Sequence, residues 1–210
     1  MQYFTHSEAG HHHRNEDTVA VQPHPRDAST LLCVLADGQG GRFGGAAASQ
    51  TAVQKCLEFA AEYSVQQLLD HSSWYEILSG ADEAVSEHPD AGFTTLIALC
   101  IADGKVCGVS CGDSAALLAS NSDYEVLTER QRKNPPVGSS AAFPTAFTAK
   151  FRSSTLLIMS DGVWRFVGND AIAELCRAKQ GQELILALRQ LQLDQNGGEL
   201  PDDFSIILVQ

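Results

Sequence analysis

Five short acidic motifs stand apart along this chain. They are Asn15-Glu16-Asp17, Asp37-Gly38, Asp113 within Cys111-Gly112-Asp113-Ser114, Asp161-Gly162 after Ser160, and Asp202-Asp203 after Pro201. Three of them flank apolar runs of strand length: LLCVLA before Asp37, STLLIM before Asp161 and FSIILV after the Asp202 pair. An acid held at a strand's end is poorly placed for core packing and well placed for a metal ion or a catalytic water. Asp37-Gly38 taken alone reads as a plain turn; the other motifs shift the reading toward a shared site. Carboxylate oxygens are hard ligands that suit Mg2+ or Mn2+ rather than zinc. Crowded together they repel, which raises their pKa values unless cations neutralise them. No Ser-His-Asp pattern and no reactive-cysteine signature is evident beside them.

The elements that must position these acids follow from periodicity and punctuation. Strands are predicted near 2–5, 18–22 and 31–36, then helices over about 46–62 and 65–88, the latter stopped at His88-Pro89-Asp90. Further strands are expected at 93–102, 105–111, 114–119 and 124–127. Residues 128–146 read as irregular, with Pro135-Pro136, Gly138 and Pro144. Strands near 147–151 and 155–160, helices near 169–178 and 181–191, and a last strand at 204–209 complete the order. Hairpins dominate the middle and helices come in pairs. Two antiparallel sheets packed face to face, each covered by a helix pair, would bury this pattern: an α+β, four-layer α-β-β-α sandwich.

The chain has 210 residues, enough for one sizeable domain spanning 1–210. With 44% hydrophobic and 19% charged residues it is globular in composition. A net charge of −12 argues against unspecific binding to nucleic acid or anionic membrane. MQYFTHSEAG has neither a basic leader nor an apolar h-region, and no apolar run approaches membrane-spanning length, so the expectation is a soluble, cytoplasmic protein. Asp103-Gly104 reads as a two-residue hairpin turn that sets Cys100 opposite Cys107. Two reduced buried thiols are expected there, with a disulfide as the alternative.

In order along the chain, NED at 15–17, DGQGGRFGGAAAS at 37–49, Thr94-Thr95, CGDS at 111–114, LLIMSDG at 156–162 and DDFSIILV at 202–209 resemble the metal-dependent serine/threonine protein phosphatases of type 2C (the PPM family), in a short bacterial-like form. That resemblance implies hydrolysis of phosphoserine and phosphothreonine in proteins by a water bridging two Mn2+ or Mg2+ ions. Two such ions can hold a phosphoryl group and activate a water for in-line attack. Carried over by position, Asp37 would bridge both metals with the Gly38 carbonyl nearby. Glu16 would serve the second metal, and Asp17 would orient metal-bound water. Asp161 and Asp202 would complete the first metal's shell, with Asp203 the neighbour that could compete. Asp113 matches a position used for an additional, weaker metal; a tight turn is the alternative.

Several positions depart from the family's pattern. The arginine expected three residues before Asn-Glu-Asp to bind substrate phosphate is His12, and Arg14 follows two residues on. A guanidinium suits phosphate better than an imidazole, which favours Arg14. Arg165 stands where the family has another acid, and a positive charge there disfavours a third cation. Gln39 replaces a histidine proposed as general acid in some members, and residues 128–146 are short for the family's flap, which leaves room for a regulatory protein partner. These departures keep two alternatives open: a weakly active regulatory or binding module of the same fold, and a phosphatase for a small phosphorylated molecule. The expected protein is a monomer acting on phosphoproteins. Its overall acidity predicts discrimination against acidic peptides.

Overall fold

The computed structural model describes residues 1–11, 14–39 and 43–210. Strands β1 (Tyr3–Glu8), β2 (Asp17–His24) and β3 (Asp27–Asp37) lead into helices α1 (Gly45–Glu62), α2 (Val65–Leu68) and α3 (His71–Glu87). Strands β4 (Leu96–Ala102), β5 (Lys105–Cys111), β6 (Ala115–Ala119), β7 (Tyr124–Val126), β8 (Thr145–Lys150) and β9 (Thr155–Met159) follow. Helices α4 (Asp161–Val167), α5 (Asn169–Ala178) and α6 (Gly181–Gln195) precede the last strand, β10 (Phe204–Val209).

The strands form two five-stranded antiparallel sheets, ordered β1-β10-β9-β6-β7 and β2-β3-β4-β5-β8. Period-two alternation builds the layers. In β3, Leu31, Cys33 and Leu35 face the inter-sheet core together with Ile158 and Ile207, whereas Leu32, Val34 and Ala36 pack under α1 and α3. On the other sheet, Leu157, Met159, Phe204 and Ile206 pack with Val163, Ile172, Leu184 and Leu188 of α4 to α6. The four-layer α-β-β-α sandwich expected from the sequence is the observed fold.

Some elements differ from expectation. The helix anticipated over 65–88 is two helices. Ser64 and Gln67 form a capping box on α2, and the Asp70 carboxylate accepts the Ser72 N–H at 2.9 Å, starting α3 afresh. Helix α4 was not anticipated; its seven residues include Val, Trp and Phe, weak helix formers that give little local signal. Strand β4 starts at Leu96 rather than 93, because Thr94 bridges both Gly38 and Val137 instead of continuing the ladder. The hairpin at Asp103-Gly104 is present, with both residues at positive φ (50° and 68°), and Cys100 pairs with Cys107 in register. Both are free thiols. No helix among the described residues is long and apolar enough to cross a membrane.

Candidate active site

The acids gather at one end of the sandwich because strand ends from both sheets meet there. Asp17 opens β2 and Asp37 closes β3, and the antiparallel register sets them directly opposite each other. Asp161 follows β9 as the first residue of α4, Asp202 and Asp203 lead into β10, and Asp113 lies in the turn from β5 to β6. Asp37, Gly38, Gln39, Thr94, Thr95, Asp113, Lys133, Asp161, Asp202 and Asp203 line a cleft of about 200 Å3. A larger hollow of about 770 Å3 runs along the edge strands β7 and β8, but none of the candidate acids lines it.

Backbone hydrogen bonds fix the central residue. The Asp37 carbonyl accepts the Thr94 hydroxyl at 2.8 Å and the Thr95 N–H at 2.9 Å. The Asp37 N–H donates to Thr95 Oγ1 at 3.0 Å, and that oxygen lies 2.7 Å from Ser114 Oγ. Gly38 is needed for close approach: a Cβ there would sit 2.4 Å from the Gly45 carbonyl oxygen and 2.6 Å from that of Glu16. Gly162 is equally constrained, since a Cβ would lie 2.0 Å from the Asp203 carbonyl oxygen.

Adjacent Asp202 and Asp203 have separate tasks. Asp203 is buried and its two carboxylate oxygens accept the N–H groups of Gly10 at 2.9 Å and Glu16 at 2.7 Å. It thereby ties the Asn15-Glu16-Asp17 loop to the start of β10. Asp202 faces the cleft, with Oδ1 accepting the Asp203 N–H at 2.9 Å.

Burial pushes the Asp17 carboxyl up from 3.8 to about 7; the Ser205 and Ser160 hydroxyls oppose this, and Asp203 and Asp202 add to it. Burial likewise raises Asp37 well above the ordinary value, reinforced by the charges of Asp17, Asp161, Asp202 and Asp113. Asp161 is raised by burial and by Asp113, against the pull of Arg165. Asp17 Oδ2 and Gln39 Oε1 are buried with no hydrogen-bond partner. Hard oxygen donors, crowded and with Asp17, Asp37 and Asp161 raised above their ordinary values, with an orphaned buried carboxylate oxygen among them, fit divalent cations. Among the described residues, no three His, Cys, Asp or Glu side chains form a ready-made cage. Two basic side chains hold part of the set instead. Arg165 bonds Asp161 at 2.9 Å and Asp113 at 3.2 Å, and Lys133 pairs with the same Asp113 oxygen.

Of the residues singled out in the sequence, the structure brings Asp37, Gly38, Asp113, Asp161 and Asp202 to one cleft, with Asp17 beside Asp37 across the β2–β3 pair. The Glu16 carboxylate lies next to Gly45 at the start of α1, where a Cβ would be 3.0 Å from its Oε2. Arg14 is exposed and is not among the cleft's lining residues, and His12 lies outside the described residues. Sequence reasoning missed Lys133, whose only signal is the basic stretch Arg130-Gln131-Arg132-Lys133. It also missed Asp82. That buried acid of α3 accepts the N–H groups of Gly138 at 2.6 Å, Ser140 at 3.2 Å and Ala142 at 3.0 Å, pinning the short segment beside the cleft.

Solved structures share this architecture throughout. A point variant of a bacterial serine phosphatase superposes with a TM-score of 0.84 at 21% identity, covering 100% of this chain and 97% of that one. The Mycobacterium tuberculosis serine/threonine phosphatase PstP/Ppp gives 0.81 at 21%, covering 99% and 97%. The PstP catalytic domain in complex with two manganese ions gives 0.79 at 23%, covering 99% and 96%. Among curated proteins none matches the sequence. The family model of stage II sporulation protein E matches residues 27–210. That span runs from the start of β3 to the last residue and takes in Asp37, Asp113, Asp161 and Asp202, so the chain belongs to the stage II sporulation protein E family, a type-2C-like (PPM) phosphatase family.

Proposed function

We propose that this chain is an active, single-domain phosphatase that removes phosphate from phosphoserine and phosphothreonine in proteins, using two Mn2+ or Mg2+ ions. The observation that carries the reading is Asp37. It is fixed by Thr94 and Thr95 at the end of β3, and its carboxyl is raised by burial and by Asp17, Asp161 and Asp202 around it. Asp37 with Gly38, Asp161, Asp202 and Glu16 would hold the ions. When bound, the ions would supply neutralisation of the phosphoryl oxygens and a lowered pKa for the water that serves as nucleophile.

The chain's own residues do the remaining work. Asp17, buried opposite Asp37 with Oδ2 unpartnered, is placed to orient the attacking water. Asp203 holds the Glu16 backbone in position through its bond to the Glu16 N–H. Thr95 and Ser114 keep the Asp37 main chain from shifting as charge changes around it. No side-chain nucleophile is required, and protonation of the leaving oxygen falls to solvent.

One observation favours the runner-up, a regulatory module of the same fold: Arg165 bonds Asp161, an acid the ions would need. Hydrolysis of a phosphothreonine peptide with Mn2+, Mg2+ or chelator, beside Asp37→Asn, separates the two. Metal-driven turnover abolished by chelator and by the substitution is expected. Metal binding without cleavage of any peptide or small phosphate ester would favour the module, and no metal binding at all would overturn the metal-dependent phosphatase reading. Cleavage of small esters in preference to peptides would instead point to a small phosphorylated substrate.

A further inference from the structure

The phosphate-binding arginine that the family carries ahead of its Asn-Glu-Asp motif has no counterpart in the cleft among the described residues, yet a cation does stand there. Lys133 is the basic side chain among the described residues lining the cleft with Asp37, Asp161 and Asp202. It also lines a neighbouring hollow of about 360 Å3, shared with Gly112, Asp113 and Trp164, so it marks the point where the cleft opens. The residues before it are anchored, and its ammonium rests on Asp113. The Gly112 N–H donates to the Arg132 carbonyl at 2.9 Å, and Gln131 Nε2 donates to the Ser114 carbonyl at 2.5 Å. These bonds tie the stretch before Lys133 to the Asp113 turn, yet the Lys133 side chain is 60% exposed.

Charge shows what such a group is for. Glu16, Asp17, Asp37, Asp113, Asp161, Asp202 and Asp203 carry seven negative charges when ionised, and two divalent ions supply four positive ones. Lys133 and Arg165, both on Asp113 Oδ2, supply two of the three missing charges. Without them a phosphate dianion would enter a strongly negative site; with them most of that excess is removed before the phosphate arrives. The two cations are not equivalent. Arg165 is held by two carboxylates, those of Asp113 and Asp161. Lys133 has a single ion-pair partner among the described residues and a flexible four-carbon stem, so it can leave Asp113 to Arg165 and swing to an incoming oxyanion.

Resting on the phosphatase reading for its substrate, we propose that Lys133 is the substrate-phosphate-binding residue of this protein, parked on Asp113 until the phosphate enters. Asp113 is then occupied by side-chain cations where the family can hold an additional metal.

The test is calorimetric titration of inorganic phosphate into the Mn2+-loaded protein, its Lys133→Gln, Lys133→Arg and Asp113→Asn variants, with Mn2+ binding measured separately. Loss of one charge-assisted hydrogen bond, about 1.5–3 kcal/mol, corresponds to roughly 10- to 100-fold weaker phosphate binding in Lys133→Gln. Lys133→Arg should stay within about threefold of the parent. If Lys133 merely steadied Asp113, Asp113→Asn would weaken phosphate as much as Lys133→Gln does; the proposal expects it to bind phosphate as well or better, because the ammonium is released. Equal phosphate affinity in Lys133→Gln, or no phosphate binding by the parent, overturns the proposal. Phosphate binding needs no turnover. Lys133-dependent binding in a protein that cleaves no phosphopeptide would therefore refute the phosphatase reading alone.

Discussion

Stripped of metal, this protein should lose stability as the pH rises through neutrality, opposite to a protein held by depressed carboxyls. The perturbation is transfer of the chelated protein from about pH 5 to about pH 8. In the fold, burial holds the Asp17 carboxyl at about 7 against an ordinary 3.8. Between those values the folded state binds a proton that the unfolded chain has released, so each step up in pH favours unfolding. At about 1.4 kcal/mol per tenfold change in proton affinity, moving this one group from 3.8 to about 7 corresponds to roughly 4 kcal/mol, of which about 3 kcal/mol is lost above pH 5. Asp37 and Asp161 are raised too and act with the same sign. Glu8, with Arg189 and His6 opposing its burial, is lowered, and so contributes stability present above its ordinary pKa and lost only in more acidic solution.

Thermal unfolding in chelator, followed by circular dichroism, should therefore show a melting temperature about 6–12 °C lower at pH 8 than at pH 5. Mn2+ should restore more at pH 8, because at pH 5 protons compete for the same oxygens. Asp37→Asn removes one charge from the cluster while leaving the surface charge otherwise alone. It should flatten the pH slope and make the chelated protein more stable at pH 8, even though the same substitution is expected to abolish activity. Stability that is flat or rising from pH 5 to pH 8, or an Asp37→Asn protein less stable than its parent at pH 8, would refute the reasoning.

Asp82→Ala should destabilise by about 3 kcal/mol, since three backbone N–H groups lose one buried acceptor; urea titration would show it, and hydrogen exchange should locate the loosening at 138–142. Gly162→Ala should cost at least about 3 kcal/mol, because its Cβ would meet the Asp203 carbonyl at 2.0 Å and α4 would have to shift; an unchanged melting temperature would contradict that packing. Burial pushes Cys100 up to about 12 and Cys107 up to about 11, so native protein at pH 8 should resist alkylation at both and yield them reduced after denaturation; mass spectrometry showing a linked pair would refute it.

What the sequence made legible was set by short-range rules. Alternation along LLCVLA and FSIILV read as strands, and Asp103-Gly104 fixed a hairpin register down to the Cys100–Cys107 pair. Acids at strand ends marked the cleft because strand ends are where an antiparallel sandwich brings distant segments together. Hidden from that reading were residues whose meaning depends on tertiary placement. Asp82 sits within a helix and looks like any surface acid until the 138–142 segment is laid over it. Adjacent Asp202 and Asp203 both line the cleft, and only tertiary placement shows that Asp203 is tied up by the Gly10 and Glu16 amides. Lys133 acquires its role only when Arg132 bonds the Asp113 turn across a gap of twenty residues. The break between α2 and α3 was readable, since Asp70 is a residue type that caps a helix start, but the longer helical pattern on either side obscured it.

Whether Arg165 blocks the site or merely waits in it turns on magnitudes. Its side chain is 50% exposed, and an ion pair of that exposure is worth roughly 0–1 kcal/mol. A divalent ion present at about a hundred times its dissociation constant stabilises the bound form by about 2.7 kcal/mol. That ion also offsets the burial, and the repulsion beside it, that hold Asp37 and Asp161 above their ordinary pKa values. The contest therefore goes to the metal, and Arg165 can turn fully to Asp113, which still needs a cation when Lys133 departs for the substrate. Crowding Asp17, Asp37, Asp161 and Asp202 without a cation costs stability, since neutral residues of similar size would make the same end of the sandwich more stable. A cation bound among those carboxylates would relieve that strain, which is why the metal-free protein's response to pH bears on the proposed function as directly as an activity measurement does.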